Sequence, residues 1–199
     1  MTTNIYLIRH GEVHNPKKIV YGMLPGFKLT PKGEKEIKQS ANFLADKNIE
    51  AVYSSPLLRA RQTASIIQKA LNLQKVYFTR YLLEMNSSAE GELGAKLDLV
   101  HHDYYSPPIW HPGDDTMDSI SNRMNTIINK LFKKYHGKSV VAVSHGDPIL
   151  ILKAFIKSDP MKLSSIRHEK YDIEHGEILQ IKKTDSKKAT VQSVFIPKI

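Results

Sequence analysis

The octet Ile5-Tyr6-Leu7-Ile8-Arg9-His10-Gly11-Glu12 restricts this chain more than any other stretch. Ile5 to Ile8 form a continuous apolar run of β-formers, too short for a lone helix. That is the pattern of a strand buried on both faces of an α/β sheet. The run stops abruptly at Arg9-His10-Gly11, so a cation and an imidazole stand where a buried strand meets its loop. Gly11 is expected to free the backbone to turn there. In open α/β sheets, ligands bind at the carboxyl ends of strands. A histidine placed there beside a fixed positive charge suits two roles: metal ligand, or nucleophile toward an anionic electrophile such as phosphorus.

The stretch Ser139 to Ser144 repeats the design: an apolar β-type run that ends in His145-Gly146. Two strands that each end in His-Gly predict two histidines meeting at one edge of one sheet.

With 199 residues the chain is long enough for a substantial core, and one domain spanning 1–199 is expected. A hydrophobic content of 41% with 25% charged residues predicts a globular fold rather than disorder. The net charge of +9 favours anionic partners: phosphorylated metabolites, nucleic acid or an acidic surface. The lysines are spread along the chain and no basic stripe is interleaved with aromatics. They therefore read as solvated surface rather than a nucleic-acid groove. The chain has no cysteine, which excludes disulfides, thiolate catalysis and Cys-based zinc sites. No signal region and no span of transmembrane length is visible, so a soluble cytoplasmic protein without a membrane partner is expected.

Helices should cover the sheet. Thr30-Pro31 reads as an N-cap followed by Pro at the first helical position, with Ile37, Ala41 and Leu44 at helical spacing behind it. Ala51 to Ser54 reads as a strand, and Ser55-Pro56 as the start of the next helix, with Leu57, Ala60, Ala64, Ile67 and Leu71 as its core stripe. Arg59 lies off that stripe in the first turns. A helix N-terminus attracts anions, and a guanidinium there adds a planar fork for phosphate oxygens. Arg61 is assigned to structure or to the surface. Val76 to Thr79 predicts a short strand. It leads to Glu84, a carboxylate directly after apolar residues, which reads as an exposed loop glutamate or as a partly desolvated proton donor.

Residues 94–115 are the least regular. His101-His102-Asp103 lacks a recognised metal-ligand spacing, and no metal site is predicted. Tyr104, Tyr105 and Trp110 fit either a lid that shapes a pocket or packing against the body. Asp114 or Asp115 should cap a helix whose core face is Met117, Ile120, Met124, Ile127, Ile128 and Leu131, ended by Gly137. Asp147-Pro148 should start a further helix, Ile149 to Ile156, which puts His145 just before a helix N-terminus. The segments 176–182 and 189–195 flank a polar turn at Thr184-Asp185-Ser186 and predict a terminal hairpin. Asn15, before Pro16, reads as a turn former or as a residue that folds back over a ligand.

Four motifs in order resemble those of the histidine phosphatase superfamily, the phosphoglycerate mutase-like proteins. They are Arg9-His10-Gly11-Glu12, the run Ser54 to Ala64, Glu84 after Leu82-Leu83, and Ser144-His145-Gly146. The resemblance implies an α/β fold: a single-domain three-layer sandwich with a mostly parallel central sheet flanked by helices. It implies phosphomonoester hydrolysis through a covalent phosphohistidine on His10, without metal or cofactor, on a small phosphorylated metabolite. Arg9, Arg59 and a protonated His145 would be catalytic and would bind the phosphoryl group. Asn15 would add a contact to it, and Glu84 would be the acid/base, with Glu90 as the competing carboxylate. Attack by His10 requires neutral imidazole whose other nitrogen donates to a backbone or carboxylate acceptor. Mutases resembling this family are typically longer, so the compact chain favours phosphatase over mutase. A phosphate-binding pseudoenzyme is the remaining alternative.

Overall fold

Strand β1 (Thr2–Arg9) is the inner strand that orders the sheet. The structure, a computed structural model, describes residues 1–98, 100–167, 173–185 and 187–199. The other strands are β2 (Ile49–Ser54), β3 (Val76–Phe78), β4 (Ser139–Ser144), β5 (Ile178–Thr184) and β6 (Thr190–Phe195). They form one sheet in the order β3-β2-β4-β1-β5-β6. β3, β2, β4 and β1 run parallel, and β5 and β6 are antiparallel. The predicted terminal hairpin is thus β5–β6; Ser186 of its turn lies outside the described residues.

Helices cover both faces: α1 (Pro31–Leu44), α2 (Leu58–Ala70), the short α3 (Gly94–Asp98), α4 (Met117–Lys134), α5 (Gly146–Lys157) and the short α6 (Leu163–Ile166). The β1 side chains alternate between two cores, as the pleat requires. Ile5 and Leu7 pack with Ile120, Met124, Ile128 and Leu131 of α4 and with Ile149 and Leu152 of α5. Tyr6 and Ile8 pack with Ile37, Ala41 and Leu44 of α1 and with Ala60, Ala64 and Ile67 of α2. This is the expected three-layer α/β sandwich. Each fully buried aliphatic side chain contributes roughly 1.5–3 kcal/mol. Truncating Ile8, at the centre of one core, to alanine should cost about 2–5 kcal/mol.

Register positions the site. Arg9 pairs with Ser144 across β1 and β4, and the His10 N–H donates to the Ser144 carbonyl (3.1 Å). The Ser55 N–H donates to the Val143 carbonyl (3.0 Å). Three neighbouring parallel strands therefore release Ser55, His145 and His10 at one edge. β5 is antiparallel to β1, so its start lies at the same edge, and the Gly176 N–H donates to the Arg9 carbonyl (3.1 Å).

Several local expectations are corrected. Gly11 serves close approach rather than turning: a Cβ there would stand 2.5 Å from the Gly33 carbonyl oxygen. Gly33 in turn leaves room for the Glu12 backbone in the first turn of α1, a helix capped by Thr30 as expected. α2 starts at Leu58 rather than at Ser55-Pro56; the Ser55 hydroxyl accepts from the Leu57 N–H at 3.4 Å and meets His145 Nε2 at 2.8 Å. α4 is capped by Thr116, in a reciprocal box with Ser119, and not by either aspartate. Asp114 and Asp115 instead accept from the Ser88 and Asn86 backbone N–H groups, which ties down the loop after Glu84. Within the irregular 94–115 stretch, Gly94–Asp98 is helical; Leu99 lies outside the described residues.

Candidate active site

His10, one residue beyond β1, is buried. Its Nδ1 lies 2.9 Å from the Gly11 carbonyl oxygen, which can only accept. Nδ1 therefore carries the proton and Nε2 the lone pair. Nε2 faces the Nε–H of Arg59 at 3.1 Å. Burial, Arg59 and Arg9 hold the His10 pKa well below the ordinary histidine value, so the ring is neutral.

Arg59 is buried in the first turn of α2. Its Nη2 donates to the Gly22 carbonyl (2.6 Å), and the guanidinium lies 4.7 Å from the Tyr21 ring centroid. Arg9 is anchored by donation to the Ile173 carbonyl, and its guanidinium passes beside Gly146 at the start of α5. The His145 ring lies 5.1 Å from that of His10. Burial together with Arg59 depresses its pKa strongly, so in this state His145 is neutral, not the protonated ring expected from sequence.

A third histidine was missed. The His175 ring is 5.8 Å from that of His10, and burial and Arg9 lower its pKa to about 3. The signal was available: His175-Gly176 is a His-Gly pair just before a strand that returns antiparallel to β1. Among the described residues, Arg9 Nε, His145 Nδ1 and His175 Nε2 are buried without a hydrogen-bond partner. Unsatisfied buried nitrogens are costly, and three grouped around one imidazole beside two guanidiniums suit a ligand rich in acceptor oxygens.

Glu84 lines a pocket of about 250 Å³ together with Arg9, Tyr21, Tyr104, Asp147 and Arg167; His10, Arg59, His145 and His175 are packed beside it and are not among its lining residues. The Glu84 backbone is fixed by an unanticipated residue. Arg123 of α4 donates to the Tyr81, Leu83 and Glu84 carbonyls at 3.0, 2.7 and 3.1 Å. Burial, and then Asp147, raise the Glu84 pKa to about 7 against the opposing pull of Arg59. Glu90 is committed elsewhere: its Oε1 accepts from the Met23 N–H.

Asn15 is not among the pocket's lining residues. Its amide bonds both ways with the Ile19 backbone, closing a local loop (2.8 and 3.2 Å). Of the three aromatic candidates, Tyr104 lines the pocket and Tyr105 acts from behind on Asp147, whereas Trp110 is not in its wall. Arg61 is exposed, stacked over Phe78. His102 pairs with Asp98 at 2.8 Å. No group of three or more potential metal ligands occurs among the described residues, and no helix there is long and apolar enough to cross a membrane.

The family model for the histidine phosphatase superfamily (branch 1) matches residues 5–191. The chain belongs to this superfamily. A Mycobacterium tuberculosis protein of unassigned function, Rv0525, is 36% identical over 163 residues, covering 77% of this chain and 78% of the relative. PhoE of Bacillus subtilis, named as an uncharacterised phosphatase, is 27% identical over 166 residues, 83% of each chain. Mycobacterial glucosyl-3-phosphoglycerate phosphatase Rv2419c superimposes with a TM-score of 0.79 at 18% identity, covering 99% of each chain, which shows a shared fold. As a member of the superfamily with phosphatase relatives, the protein is a hydrolase of the histidine phosphatase type.

Proposed function

We propose that the protein hydrolyses a small phosphomonoester through a covalent phosphohistidine on His10, with fixed guanidiniums in place of a metal ion. The observation that carries this reading is the imidazole tautomer: Nδ1–H bound to the Gly11 carbonyl, Nε2 lone pair directed at Arg59. A buried, neutral, oriented imidazole beside two cations is prepared for attack on an anionic electrophile.

In the first step the Nε2 lone pair attacks phosphorus and the ester P–O bond breaks. The Arg59 Nε–H, which stays on arginine, shifts its hydrogen bond from His10 to an equatorial phosphoryl oxygen. Arg9, His145 and His175 supply further donors. Phosphoryl transfer is mainly positioning and electrostatics, so this array carries most of the catalysis. The arriving anion opposes the Arg59 and Arg9 contributions that, after burial, depress the His145 pKa, and so favours its protonation. Glu84 gives its proton to the leaving oxygen. The resulting carboxylate then takes a proton from the water that attacks phosphorus. The P–N bond breaks, and phosphate leaves with His10 and Glu84 restored.

The test is phosphate release from an aryl phosphomonoester in EDTA, comparing wild type with His10→Ala. Release that survives EDTA and vanishes in the variant is expected. Equal release from both proteins would remove His10 as nucleophile.

A further inference from the structure

A phosphate site creates a difficulty for its own acid. Arg59 of α2, Arg9 at the end of β1 and Arg123 of α4 all act on Glu84. Each favours the carboxylate, yet the leaving oxygen needs a carboxyl group that still has its proton. Tyr104 and Tyr105 of the 94–115 segment face the same carboxyl without supplying positive charge. One further group faces it: Asp147, in the first turn of α5, buried at 8% exposure. Its two oxygens each accept from Arg167 Nη2 at 2.7 Å, and Oδ2 also accepts from the Tyr105 hydroxyl at 2.7 Å. The same hydroxyl lies 3.4 Å from Sδ of Met85, the residue after Glu84. Asp147 is an acceptor in all of these contacts, and Tyr105 and Arg167 hold it rigidly against the acid's segment.

We propose that Asp147 is a positioning residue for the acid step: ion-paired with Arg167 and bonded by Tyr105 in the pocket it shares with Glu84, it disfavours loss of the Glu84 proton. Two carboxyl groups sharing one site resist double ionisation. After burial, Asp147 is the largest influence raising the Glu84 pKa, ahead of the opposing Arg59. The same repulsion serves the second half-reaction, since a Glu84 carboxylate beside Asp147 draws a proton from the attacking water more readily. The inference rests on the reading of Glu84 as the acid.

The test is the pH dependence of kcat with an alkyl phosphomonoester, whose poor leaving group makes protonation count. Wild type, Glu84→Gln, Asp147→Asn and Asp147→Glu are compared. In Asp147→Asn the alkaline limb should move down by about one pH unit. The ratio of the rate near pH 5.5 to that near pH 8 then rises about tenfold. Asp147→Glu, which keeps the charge, should restore the wild-type limb. A uniform fall with an unmoved limb in Asp147→Asn would overturn the inference while leaving Glu84 as the acid. A Glu84→Gln variant as fast as wild type would instead overturn the acid assignment itself. Arg167→Gln gives a reading independent of how Asp147→Asn folds. Without Arg167, Asp147 competes with Glu84 for the proton, so the rate below the limb should fall and the limb should shift; an unchanged rate with an unmoved limb counts against the proposal.

Discussion

The two parts of the candidate site are built differently. The phosphate end is made where strands stop: His10 follows β1, Ser55 follows β2, His145 follows β4 and His175 precedes β5. Its geometry is dictated by sheet register, its histidines are neutral, and its charge comes from Arg9 and Arg59. The acid end has no such frame. Glu84 sits on an irregular segment braced by Arg123 from α4, by aspartates 114 and 115, and by Asp147 with its partners Arg167 and Tyr105. In the proposed function, the rigid edge would receive the phosphoryl group, and the loop-built wall would hold the proton donor and meet the part of the substrate that varies.

If that division is right, losses should be largest at the rigid edge. His10→Ala should lower kcat by on the order of 10⁴-fold or more, read as phosphate release at saturating substrate. Glu84→Gln should lower it by roughly 10²–10⁴-fold with an alkyl leaving group, and by much less with an activated aryl one. That leaving-group contrast separates an acid from a structural glutamate. Arg59→Ala should cost roughly 10²–10³-fold in kcat and weaken competitive inhibition by inorganic phosphate. Asn15→Ala, whose amide is engaged with Ile19, should cost less than about tenfold; a hundredfold loss would move Asn15 into the phosphate end.

Stability draws the same contrast. The Glu84 pKa is raised on folding from 4.5 to about 7. A raised carboxyl pKa contributes stability that is fully present below the unfolded value and is lost as pH rises through the folded one. The loss is on the order of 3 kcal/mol across that window. Glu84→Gln removes it, so the variant's Tm should gain on wild type between about pH 5 and about pH 8.5. The phosphate-end histidines have the opposite sign: their depressed pKa values cost stability as pH falls below the ordinary histidine range. A Tm difference between Glu84→Gln and wild type that does not change with pH would contradict the assignment of Glu84's protonation to burial and Asp147.

The same division explains what could be read from the residues alone. Apolar β runs ending in His-Gly locate His10 and His145 because a buried strand announces both its direction and its end. The helical stripes behind Thr30 and from Met117 to Leu131 locate the covering layers for a similar reason. His175 needed one more step. Its His-Gly pair resembles His136-Gly137, yet His136 stands before β4 at the opposite edge and is exposed. Only the antiparallel return of β5 distinguishes them. Ser55 lies two residues before the α2 N-cap Leu57, and the sequence does not reveal that its hydroxyl also meets His145. Asp147 and Arg167 carried no signal: an Asp-Pro at a helix start and an arginine on a connecting segment are ordinary locally. Their meaning arises from contacts between segments distant in the chain.

The central claim is the covalent bond to His10. The direct measurement is rapid acid-free quenching of a single turnover, followed by peptide mass analysis of the phosphorylated site. A transient, acid-labile phosphoryl group on His10 that decays at the turnover rate and is absent in His10→Ala is predicted. Turnover of wild type with no phosphoryl group on His10 at any time, or with the group on another residue, would contradict the account.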